Sequence, residues 1–410
     1  MLDLKFIREN PKKVLDAALN KGIKIDIDSL LKLDEEKRNL GVEVQKLQEE
    51  RNKAARERDI EKGKKIKNEL EGKEKKFSEF SEQLENSLSK LPNLPKPDVK
   101  IGKDESENEV LRKEGAPREF NFTPKDHLTI GENLTIIDVK RAAKISGTRF
   151  YYLKNEGVLL EFALRQLAFD FLTKEGFVPV LPPVLIKEEV MRGLGYMENG
   201  GDEDMFVLDK DKLVLVGTSE QSIVPMFKDE ILDEIKLPQR FVGFSTCFRR
   251  EAGSYGKDTR GIFRVHQFDK VEIVSYVKMG EDDKEHEYLL SLEEKLLGLL
   301  NIPYQVVKMC TGDLGFPAAR KYDLEGWFPS EKRYRELTST STTTDFQSRR
   351  LNIRYRERAE TKFVNILNGT AFSSRPIAAI LENYQQEDGS VLIPEVLQKY
   401  IGRDKIVSKK

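Results

Sequence analysis

The sequence predicts an α+β fold, in which an antiparallel coiled-coil hairpin of two long helices precedes an antiparallel β-sheet flanked by helices. Two observations favour this class. The N-terminal part of the chain carries two heptad repeats without a proline between residues 30 and 91. The later part carries strand-like segments that follow one another through loops rather than alternating with helices. A length of 410 residues suits two or three domains.

The first segments of the chain read as helices. A short helix is expected after Asn10 and Pro11, which form a cap and a first helical residue, and Gly22 supplies its end. The next stretch places apolar residues at heptad positions of two successive helices: Leu30, Leu33, Leu40, Val44, Leu47 and Ala54, then Leu70, Phe77, Leu84 and Leu91. A break near 59–63 joins them into a coiled-coil hairpin at about 29–91. At about 1.5 Å per residue, each arm is roughly 40 Å long.

The tip of this hairpin is locally basic. Between residues 51 and 67 only three acidic residues accompany the basic side chains Arg51, Lys53, Arg56, Arg58, Lys62, Lys64, Lys65 and Lys67. Exposed coiled-coil faces are commonly charged simply to stay solvated, and a surface that tracks phosphates is the other interpretation. The whole chain does not discriminate between the two, because Lys+Arg 70 against Asp+Glu 71 leave a net charge of −1.

A linker and then a globular region follow the hairpin. The segment LPNLPKPDVKIGKDESENE, 91–109, contains three prolines and reads as the linker, so we predict a helical domain over 1–110 and a second domain over 111–410. In the second domain we expect helices at 159–174, 284–300 and 376–384. We expect strands in FVPVLPPVLI, KLVLVG, RFVGFSTCF, GIFRVHQFDKVEIVSYV and PYQVVKMC. The common nucleotide-binding loops GxxxxGK[ST] and GxGxxG are missing from the sequence.

Composition indicates where the protein acts and what it lacks. The only cysteines, Cys247 and Cys310, are far apart, which argues against a disulfide framework and suits a reducing cytosol. Three histidines without CxxC or HxxxH spacing make a structural zinc unexpected. No secretion signal or apolar run of membrane-spanning length is present, so we expect a cytoplasmic protein without a membrane partner.

The segment FRREAGSYGKDTRGIFRVHQFDKVE, 248–272, concentrates the residues that could do chemistry. At strand periodicity one face carries Arg249 and Glu251 on one arm, and Arg264, His266, Phe268, Lys270 and Glu272 on the other. The glycines of AGSYGKDTRG permit a hairpin loop between the arms. Arginines, an aromatic ring and carboxylates on one face suit a bound polyphosphate, base and ammonium group. An amphipathic hairpin with a solvated charged face is the alternative.

Several strings in this order resemble one family. They are GFVPVLPPV after a long helix, FRRE followed by RVHQF and DKVE, and NGTAFSSRPIAAILENYQ with Arg375, together with CTGDLGFPAARKYDLEGWFP and YRELTSTSTTTDFQSRR. The chain resembles the seryl-tRNA synthetases, which are class II aminoacyl-tRNA synthetases, over essentially its whole length. The resemblance implies a class II catalytic domain, a tRNA-binding helical arm and a homodimer, because the first string builds the dimer interface in this class.

The implied activity is that of an ATP-dependent serine–tRNA ligase. Such an enzyme activates serine as seryl-adenylate, transfers it to the terminal adenosine of tRNA(Ser), and releases AMP and pyrophosphate; tRNA(Sec) stays open as a second substrate. ATP, with Mg²⁺, is the implied cofactor, and serine and tRNA are the implied partners. The tRNA contacts fall on the hairpin tip at Arg51, Lys53, Arg56, Arg58, Lys62, Lys64 and Lys65.

The resemblance also assigns roles within the second domain. The implied catalytic residues are Arg249, Glu251, Arg264 and Arg375. The implied ATP contacts are Arg249 on the α-phosphate, Glu251 on the adenine edge, Arg264 along the triphosphate, Phe268 stacking on adenine and Arg375 on the γ-phosphate. Glu336 and Ser339 are the implied magnesium ligands. Serine recognition falls on Thr218, Glu220, Arg249, Glu272, Asn368 and Thr370.

These residue types suit the reaction on chemical grounds. A carboxylate that attacks an α-phosphate brings two anions together, so guanidinium groups and a divalent cation must cancel their repulsion. A carboxylate nucleophile has no proton to lose, so no general base is required. Selection of serine over alanine needs polar partners that the smaller side chain would leave unpaired.

Three departures from the family pattern stand beside the resemblance. The chain is one residue shorter between Asn368 and Arg375, GTSEQSIVP differs after Glu220, and Arg250 replaces a small residue. A one-residue slip turns the later side chains of a strand to the other face, and the junction before Pro376 is the expected place to absorb it. A ligase that charges a carrier protein and a non-catalytic tRNA-binding paralogue are the alternative functions. The helical arm disfavours the first. Four retained residues disfavour the second: Arg249, Glu251, Phe268 and Glu336.

Overall fold

The computed structural model describes residues 1–252 and 261–408. The chain forms two compact units, Met1–Leu94 and Pro95–Lys410. The boundary predicted at 110/111 falls inside the second unit, because the segment after Pro95 is bonded to that unit. The Lys96 N–H donates to the Ala319 carbonyl at 2.8 Å, and the Thr311 N–H donates to the Lys100 carbonyl at 3.0 Å. None of the helices in the described ranges has the length and apolar character needed to cross a membrane.

The first unit is helical. Its helices are α1 (Leu4–Glu9), α2 (Pro11–Asn20), α3 (Ile27–Arg56) and α4 (Ile60–Ser89). The predicted short helix is α2, and α1, which the sequence analysis did not identify, begins where the Asp3 carboxylate accepts the Lys5 and Phe6 N–H groups.

The two long helices form the predicted hairpin. Leu40, Ala54, Ile66, Leu70 and Leu84 are buried along α3 and α4, as the heptad positions require. The turn lies at 57–59, slightly earlier than the predicted break at 59–63. The reason is local, because the Asp59 carboxylate accepts the Lys62 N–H and so starts α4 at Ile60.

The second unit combines helices with short and long strands. Its helices are α5 (His127–Asn133), α6 (Val139–Ser146), α7 (Glu156–Lys174), α8 (Glu188–Leu194), α9 (Glu220–Ile223), α10 (Asp282–Leu299), α11 (Phe346–Leu351), α12 (Arg375–Asn383) and α13 (Glu395–Ile401). Its strands are β1 (Glu109–Glu114), β2 (Ile137–Asp138), β3 (Tyr152–Leu153), β4 (Val178–Val180), β5 (Leu185–Lys187), β6 (Val207–Leu208), β7 (Leu213–Leu215), β8 (Ile231–Asp233), β9 (Gln239–Phe248), β10 (Gln267–Val277), β11 (Tyr304–Lys308), β12 (Arg320–Phe328), β13 (Arg333–Thr344), β14 (Arg354–Glu357), β15 (Glu360–Phe363), β16 (Asn365–Ser373), β17 (Val391–Leu392) and β18 (Lys405–Ile406).

An eight-stranded sheet organises this unit. Its order is β1-β11-β12-β13-β16-β10-β9-β4, and every neighbouring pair is antiparallel except β4 and β9. The main hydrophobic core includes Leu164 of α7, Leu292 and Leu296 of α10, and Ile377 of α12, all almost fully buried. The predicted α+β class, with a helical arm before an antiparallel sheet flanked by helices, is therefore confirmed.

The structure adds one detail to the predicted strands and corrects another. FVPVLPPVLI, predicted as a strand broken by Pro182 and Pro183, forms two strands on either side of these prolines, β4 and β5, which belong to different sheets. The strand periodicity assumed for 249–251 and 264–266 does not apply, because β9 ends at Phe248 and β10 begins at Gln267. Most of the predicted hairpin loop, 253–260, lies outside the described residues.

Candidate active site

A cavity of about 510 Å³ opens at the large sheet and gathers most of the predicted residues. It is lined by side chains from β9 and β10, from β12 and β13, and from the junction of β16 with α12. Eleven of the twelve residues predicted for ATP, magnesium and serine line it: Thr218, Glu220, Arg249, Glu251, Phe268, Glu272, Glu336, Ser339, Asn368, Thr370 and Arg375. Arg264 does not line the cavity itself, but its guanidinium contacts Glu251, which does.

Each of the three arginines predicted to contact ATP is bonded to a carbonyl or carboxylate of the protein. The Arg249 Nε donates to the Gly217 carbonyl at 3.1 Å, and its guanidinium carbon lies 5.3 Å from the centre of the Phe268 ring. The Arg264 Nη1 donates to Glu251 Oε2 at 2.6 Å. The Arg375 Nη1 lies 2.9 Å from Glu336 Oε2. Positive charge is therefore fixed in place around the cavity before any ligand binds.

The Arg375–Glu336 pair sets the charge of the carboxylate. Burial alone would favour the neutral acid, but attraction to Arg375 and then to Lys321 outweighs it, so the pKa of Glu336 falls to about 2. Glu336 is consequently ionised at neutral pH. An anionic carboxylate with a hydroxyl nearby is a donor set that suits a hard divalent cation.

Two β-bulges bring the predicted side chains to the same face. In β13 the register shifts at Leu337, because Thr338 pairs with Leu324 while Glu336 pairs with Glu325. Glu336 and Ser339 are three residues apart and would otherwise point to opposite faces, yet both line the cavity.

The second bulge lies in the strand before Arg375. In β16 the register shifts at Ala371, because Phe372 pairs with Val271 while Thr370 pairs with Glu272. Thr370 and Ser373 both line the cavity as a result, and Arg375 follows as the first residue of α12. This change of face therefore lies within the strand, ahead of the strand–helix junction.

The opposite end of the cavity carries buried carboxylates. Glu272 is 1% exposed, and Oε2 lies 2.6 Å from the Lys270 Nζ and accepts from the Thr370 hydroxyl at 3.4 Å. The Lys270 Nζ also donates to the Thr218 hydroxyl at 3.2 Å. Burial raises the pKa of Glu272 to about 7, although Lys270 opposes the shift. This end of the cavity can therefore accept a cationic group.

Several cavity residues were not among the predicted ones. The sequence could have predicted Lys270 as a site residue, because strand alternation places it on the same face as Phe268 and Glu272. Tyr196 had no such signal, because its hydroxyl reaches Glu220 Oε1, at 2.6 Å, from a loop distant in sequence. Burial raises the pKa of both the Tyr196 hydroxyl and the Glu220 carboxyl.

A third group of missed residues borders Glu336. Lys321 lines the cavity, and its Nζ lies 3.0 Å from Asp323 Oδ1. Burial raises the pKa of Asp323 to about 7 despite that partner. Lys321 also attracts Glu336, so β12 supplies positive charge to the same region as Arg375.

The predicted residues of the hairpin tip lie in the first unit. All seven side chains are exposed: Arg51, Lys53, Arg56, Arg58, Lys62, Lys64 and Lys65. They surround the turn at 57–59, so they form one basic surface, which we call the basic tip. Their exposure leaves them accessible to a polyanion.

Comparisons with known proteins match both units. Family models match at residues 1–95, for the seryl-tRNA synthetase N-terminal domain, and at residues 206–384, for the class II core domain of the G, H, P, S and T tRNA synthetases. The serine–tRNA ligase of Dictyoglomus turgidum is 43% identical over 100% of both chains, and that of Thermobifida fusca is 45% identical over 98% of both. The chain belongs to the seryl-tRNA synthetase family.

Solved structures of this family have the same fold. Seryl-tRNA synthetase from Pyrococcus horikoshii, complexed with ATP, is 40% identical and superposes with a TM-score of 0.94 over 100% of both chains. Cytoplasmic serine–tRNA ligase from Naegleria fowleri, in complex with AMP, is 31% identical with a TM-score of 0.91, over 100% of this chain and 99% of that one. Membership of the seryl-tRNA synthetase family makes this chain an aminoacyl-tRNA synthetase.

The raised pKa of Glu272 predicts a pH dependence of stability. The folded-state pKa is about 7, whereas a glutamate in an unfolded chain titrates near about 4.3. The group therefore contributes most to stability below the unfolded value, and this contribution is lost as the pH rises through the folded value. Between pH 5.5 and 8 we expect the free energy of unfolding to fall by about 1–3 kcal/mol more in the parent than in Glu272→Gln, measured by urea titration.

The exposed Glu119 provides the control for this titration. Glu119→Gln should follow the parent at both pH values, because it makes the same change from carboxyl to amide at an exposed position outside the cavity. Parallel pH dependences in the parent and in Glu272→Gln would contradict the burial argument.

Proposed function

We propose that this chain activates serine with ATP and then transfers the seryl group to the 3′-terminal adenosine of tRNA(Ser). The chain is a serine–tRNA ligase and an ATP-dependent enzyme. One observation supports the two-substrate site above all: a single cavity carries fixed guanidinium groups at one end and buried carboxylates at the other. That arrangement matches a triphosphate beside an amino acid.

The proposed first step joins the carboxylate of serine to the α-phosphorus of ATP. One carboxylate oxygen forms a bond to phosphorus, the bond to the β-phosphate oxygen breaks, and pyrophosphate leaves. Arg249 stabilises the α-phosphate, Arg264 lies along the triphosphate, and Arg375 contacts the γ-phosphate. Glu251 bonds the adenine edge and Phe268 stacks on the base, where the Arg249 guanidinium already flanks the ring. Positioning and charge stabilisation supply the catalysis.

Magnesium fits the donor set of β13. The Glu336 carboxylate is ionised, and the bulge at Leu337 brings Ser339 to the same face, so these two side chains would hold the ion together with phosphate oxygens. When bound, the ion neutralises phosphate charge. Arg375, which is paired with Glu336 in the structure, would be the guanidinium that faces the γ-phosphate.

Serine is proposed to bind between β10 and β16. Glu272, Glu220 and Asn368 address its ammonium and hydroxyl groups, and the hydroxyls of Thr218 and Thr370 complete the polar lining. Arg249 is proposed to contact both the carboxylate of serine and the α-phosphate. The Lys270 ammonium already bridges Glu272 and Thr218, which supports binding of a primary amine at this end of the cavity.

In the proposed second step a ribose hydroxyl of tRNA attacks the carbonyl carbon of seryl-adenylate, and AMP leaves. The basic tip is proposed to bind tRNA phosphates, which its exposure and seven cations support. The cytoplasm is the proposed place of action, and two buried free cysteines, Cys247 and Cys310, suit it.

A homodimer is also proposed. The outer strand β4 ends the large sheet, and apolar side chains are exposed beside it. Phe162 of α7 is 54% exposed, Val178 of β4 is 53% exposed and Leu181 is 80% exposed. Exposed apolar groups on an edge strand and on a helix that contacts it are typical of an interface between copies of a chain.

Replacement of Arg249 tests the proposed first step. Arg249→Ala removes the guanidinium from the α-phosphate, so we expect serine-dependent ATP–pyrophosphate exchange to fall by about 10³-fold or more. Arg356→Ala, at an exposed arginine away from the cavity, is the control and should keep parental exchange. Exchange that survives Arg249→Ala would remove Arg249 from the mechanism.

Charge reversal at the basic tip tests the proposed role of the hairpin. The triple variant Lys62→Glu, Lys64→Glu and Lys65→Glu should lower the kcat/KM of tRNA charging by at least about tenfold, because phosphate contacts are lost, and should leave pyrophosphate exchange unchanged. Lys12→Glu, Lys13→Glu and Lys24→Glu make the same charge change at exposed lysines of the first unit outside the hairpin. Equal loss of charging in the two triple variants would show a general charge effect instead.

Polar substitution beside β4 tests the proposed dimer. Phe162→Asp combined with Leu181→Asp should convert a dimer into a monomer in sedimentation velocity, because two carboxylates would be buried unpaired. Ile235, which is 90% exposed, is the control position, and Ile235→Asp should keep the parental mass. A parent chain that sediments as a monomer would refute the dimer.

A further inference from the structure

His127 is a buried histidine that the proposed mechanism does not use. It is the first residue of α5 and is 5% exposed. Its ring lies against the chain at Gly261 and Ile262, just before Phe263 and Arg264. We propose that His127 is a positioning residue for the nucleotide end of the cavity, acting through the backbone of Ile262 and the ring of Phe263; this inference rests on the proposed function.

The hydrogen bonds of His127 specify its tautomer. The Ile262 N–H donates to Nε2 at 3.3 Å, and a backbone N–H can only donate, so Nε2 is the acceptor and carries no proton. The proton of the neutral ring therefore lies on Nδ1, which donates to Glu382 Oε1 at 3.2 Å. The ring thus links a carboxylate of α12 to a main-chain N–H before β10.

The Glu382 carboxylate accepts three hydrogen bonds. It is fully buried, and its Oε1 accepts the His127 backbone N–H at 3.0 Å as well as the ring N–H. Its Oε2 accepts the Ser330 N–H at 3.1 Å. Glu382 lies in α12 seven residues, or about two turns, after Arg375, so the helix that begins with this arginine also fixes His127.

The ring sits so close to the chain that only glycine fits beside it. Gly261 has a φ of 89°, and a Cβ at this position would lie 2.2 Å from His127 Nε2. Both the left-handed backbone and the close approach require the absence of a side chain. The position of Ile262 is therefore set by direct contact with the imidazole.

The segment that begins at Ile262 carries the aromatic ring of Phe263, which packs against two arginines. Phe263 lines the cavity, and the guanidinium carbons of Arg335 and Arg375 lie 3.5 Å and 4.8 Å from its ring centre. Such contacts orient a guanidinium over an aromatic face. The next residue, Arg264, donates to Glu251 at 2.6 Å. A shift at Ile262 would therefore move Phe263, and with it Arg375, at the triphosphate end.

In the part of the chain that the structure describes, the bonds that hold the serine end run within a separate group of residues. Glu272, Thr218 and Thr370 are bonded through Lys270 and through each other. Loss of the His127 acceptor should therefore weaken binding of ATP and leave binding of serine intact. A purely structural role would lower stability without separating the two substrates.

A pair of amide substitutions separates the two hydrogen bonds of the ring. In His127→Gln the terminal amide reaches the place of Nε2, where its oxygen can accept the Ile262 N–H. In His127→Asn the shorter amide takes the place of Nδ1, where it can donate to Glu382 but leaves the Ile262 N–H without an acceptor. The two variants differ by one methylene group and by which of the two hydrogen bonds of the ring they can still make.

Steady-state pyrophosphate exchange with the full-length protein gives the readout. We expect His127→Asn to raise the KM for ATP about tenfold and to leave the KM for serine within about twofold, because an unsatisfied buried N–H displaces Ile262. His127→Gln should restore the KM for ATP to within about threefold of the parent. Equal KM values for ATP in the two variants, or equal increases for both substrates, would overturn the inference.

Phe263→Leu provides a second variant in case His127→Asn does not fold. It keeps an apolar side chain but removes the aromatic face under Arg375, so the KM for ATP should rise while the KM for serine stays unchanged. An unchanged KM for ATP in Phe263→Leu would overturn the inference by itself. A parent enzyme without serine-dependent exchange would refute the proposed function, whereas an active parent with unaffected variants would refute only the role of His127.

Discussion

Repulsion between a triphosphate and a carboxylate is the constraint on which the rest of this structure depends. In the proposed site the cavity meets it with guanidinium groups that are already oriented by the protein. Arg249 is held by the Gly217 carbonyl, Arg264 by Glu251 and Arg375 by Glu336. A side chain that is bonded in advance loses little conformational freedom when the ligand arrives, so more of its attraction stabilises the transition state. The acidic partners therefore belong to the catalytic arrangement as much as the arginines do.

Sequence periodicity predicted the first unit well and the second unit less completely. A heptad repeat directly predicts which side of a helix is buried, so the hairpin of α3 and α4 followed from the positions of Leu30, Leu40, Leu70 and Leu84. Only the position of the turn differed from the prediction. It lies slightly earlier in the chain, because the Asp59 carboxylate caps the start of α4. In the second unit the antiparallel sheet was predictable from consecutive strands, but the division of FVPVLPPVLI between two sheets depended on tertiary pairing.

The composition of the candidate site was predictable, but its geometry was not. A resemblance assigns residues by position, and eleven of the twelve assigned residues line one cavity. These side chains share a face because of the bulges at Leu337 and Ala371. The alternation of side chains along a strand does not predict where a bulge occurs. The same limit explains Tyr196 and His127, since each acts on a segment distant in sequence. Contacts between segments distant in sequence depend on the fold, so the spacing of residues along the chain does not predict them.

In the proposed serine site the buried carboxylates would couple binding to protonation. Without a ligand, burial raises the pKa of Glu272 to about 7, because the nearby Lys270 only partly offsets the loss of hydration. An ammonium group placed against Glu272 favours the ionised carboxylate and lowers that pKa. Below pH 7 the arrival of serine must therefore release a proton from the cavity. Alanine offers the same ammonium, so discrimination between the two has to come from the proposed partners of the serine hydroxyl, whose unmade bonds disfavour the smaller side chain.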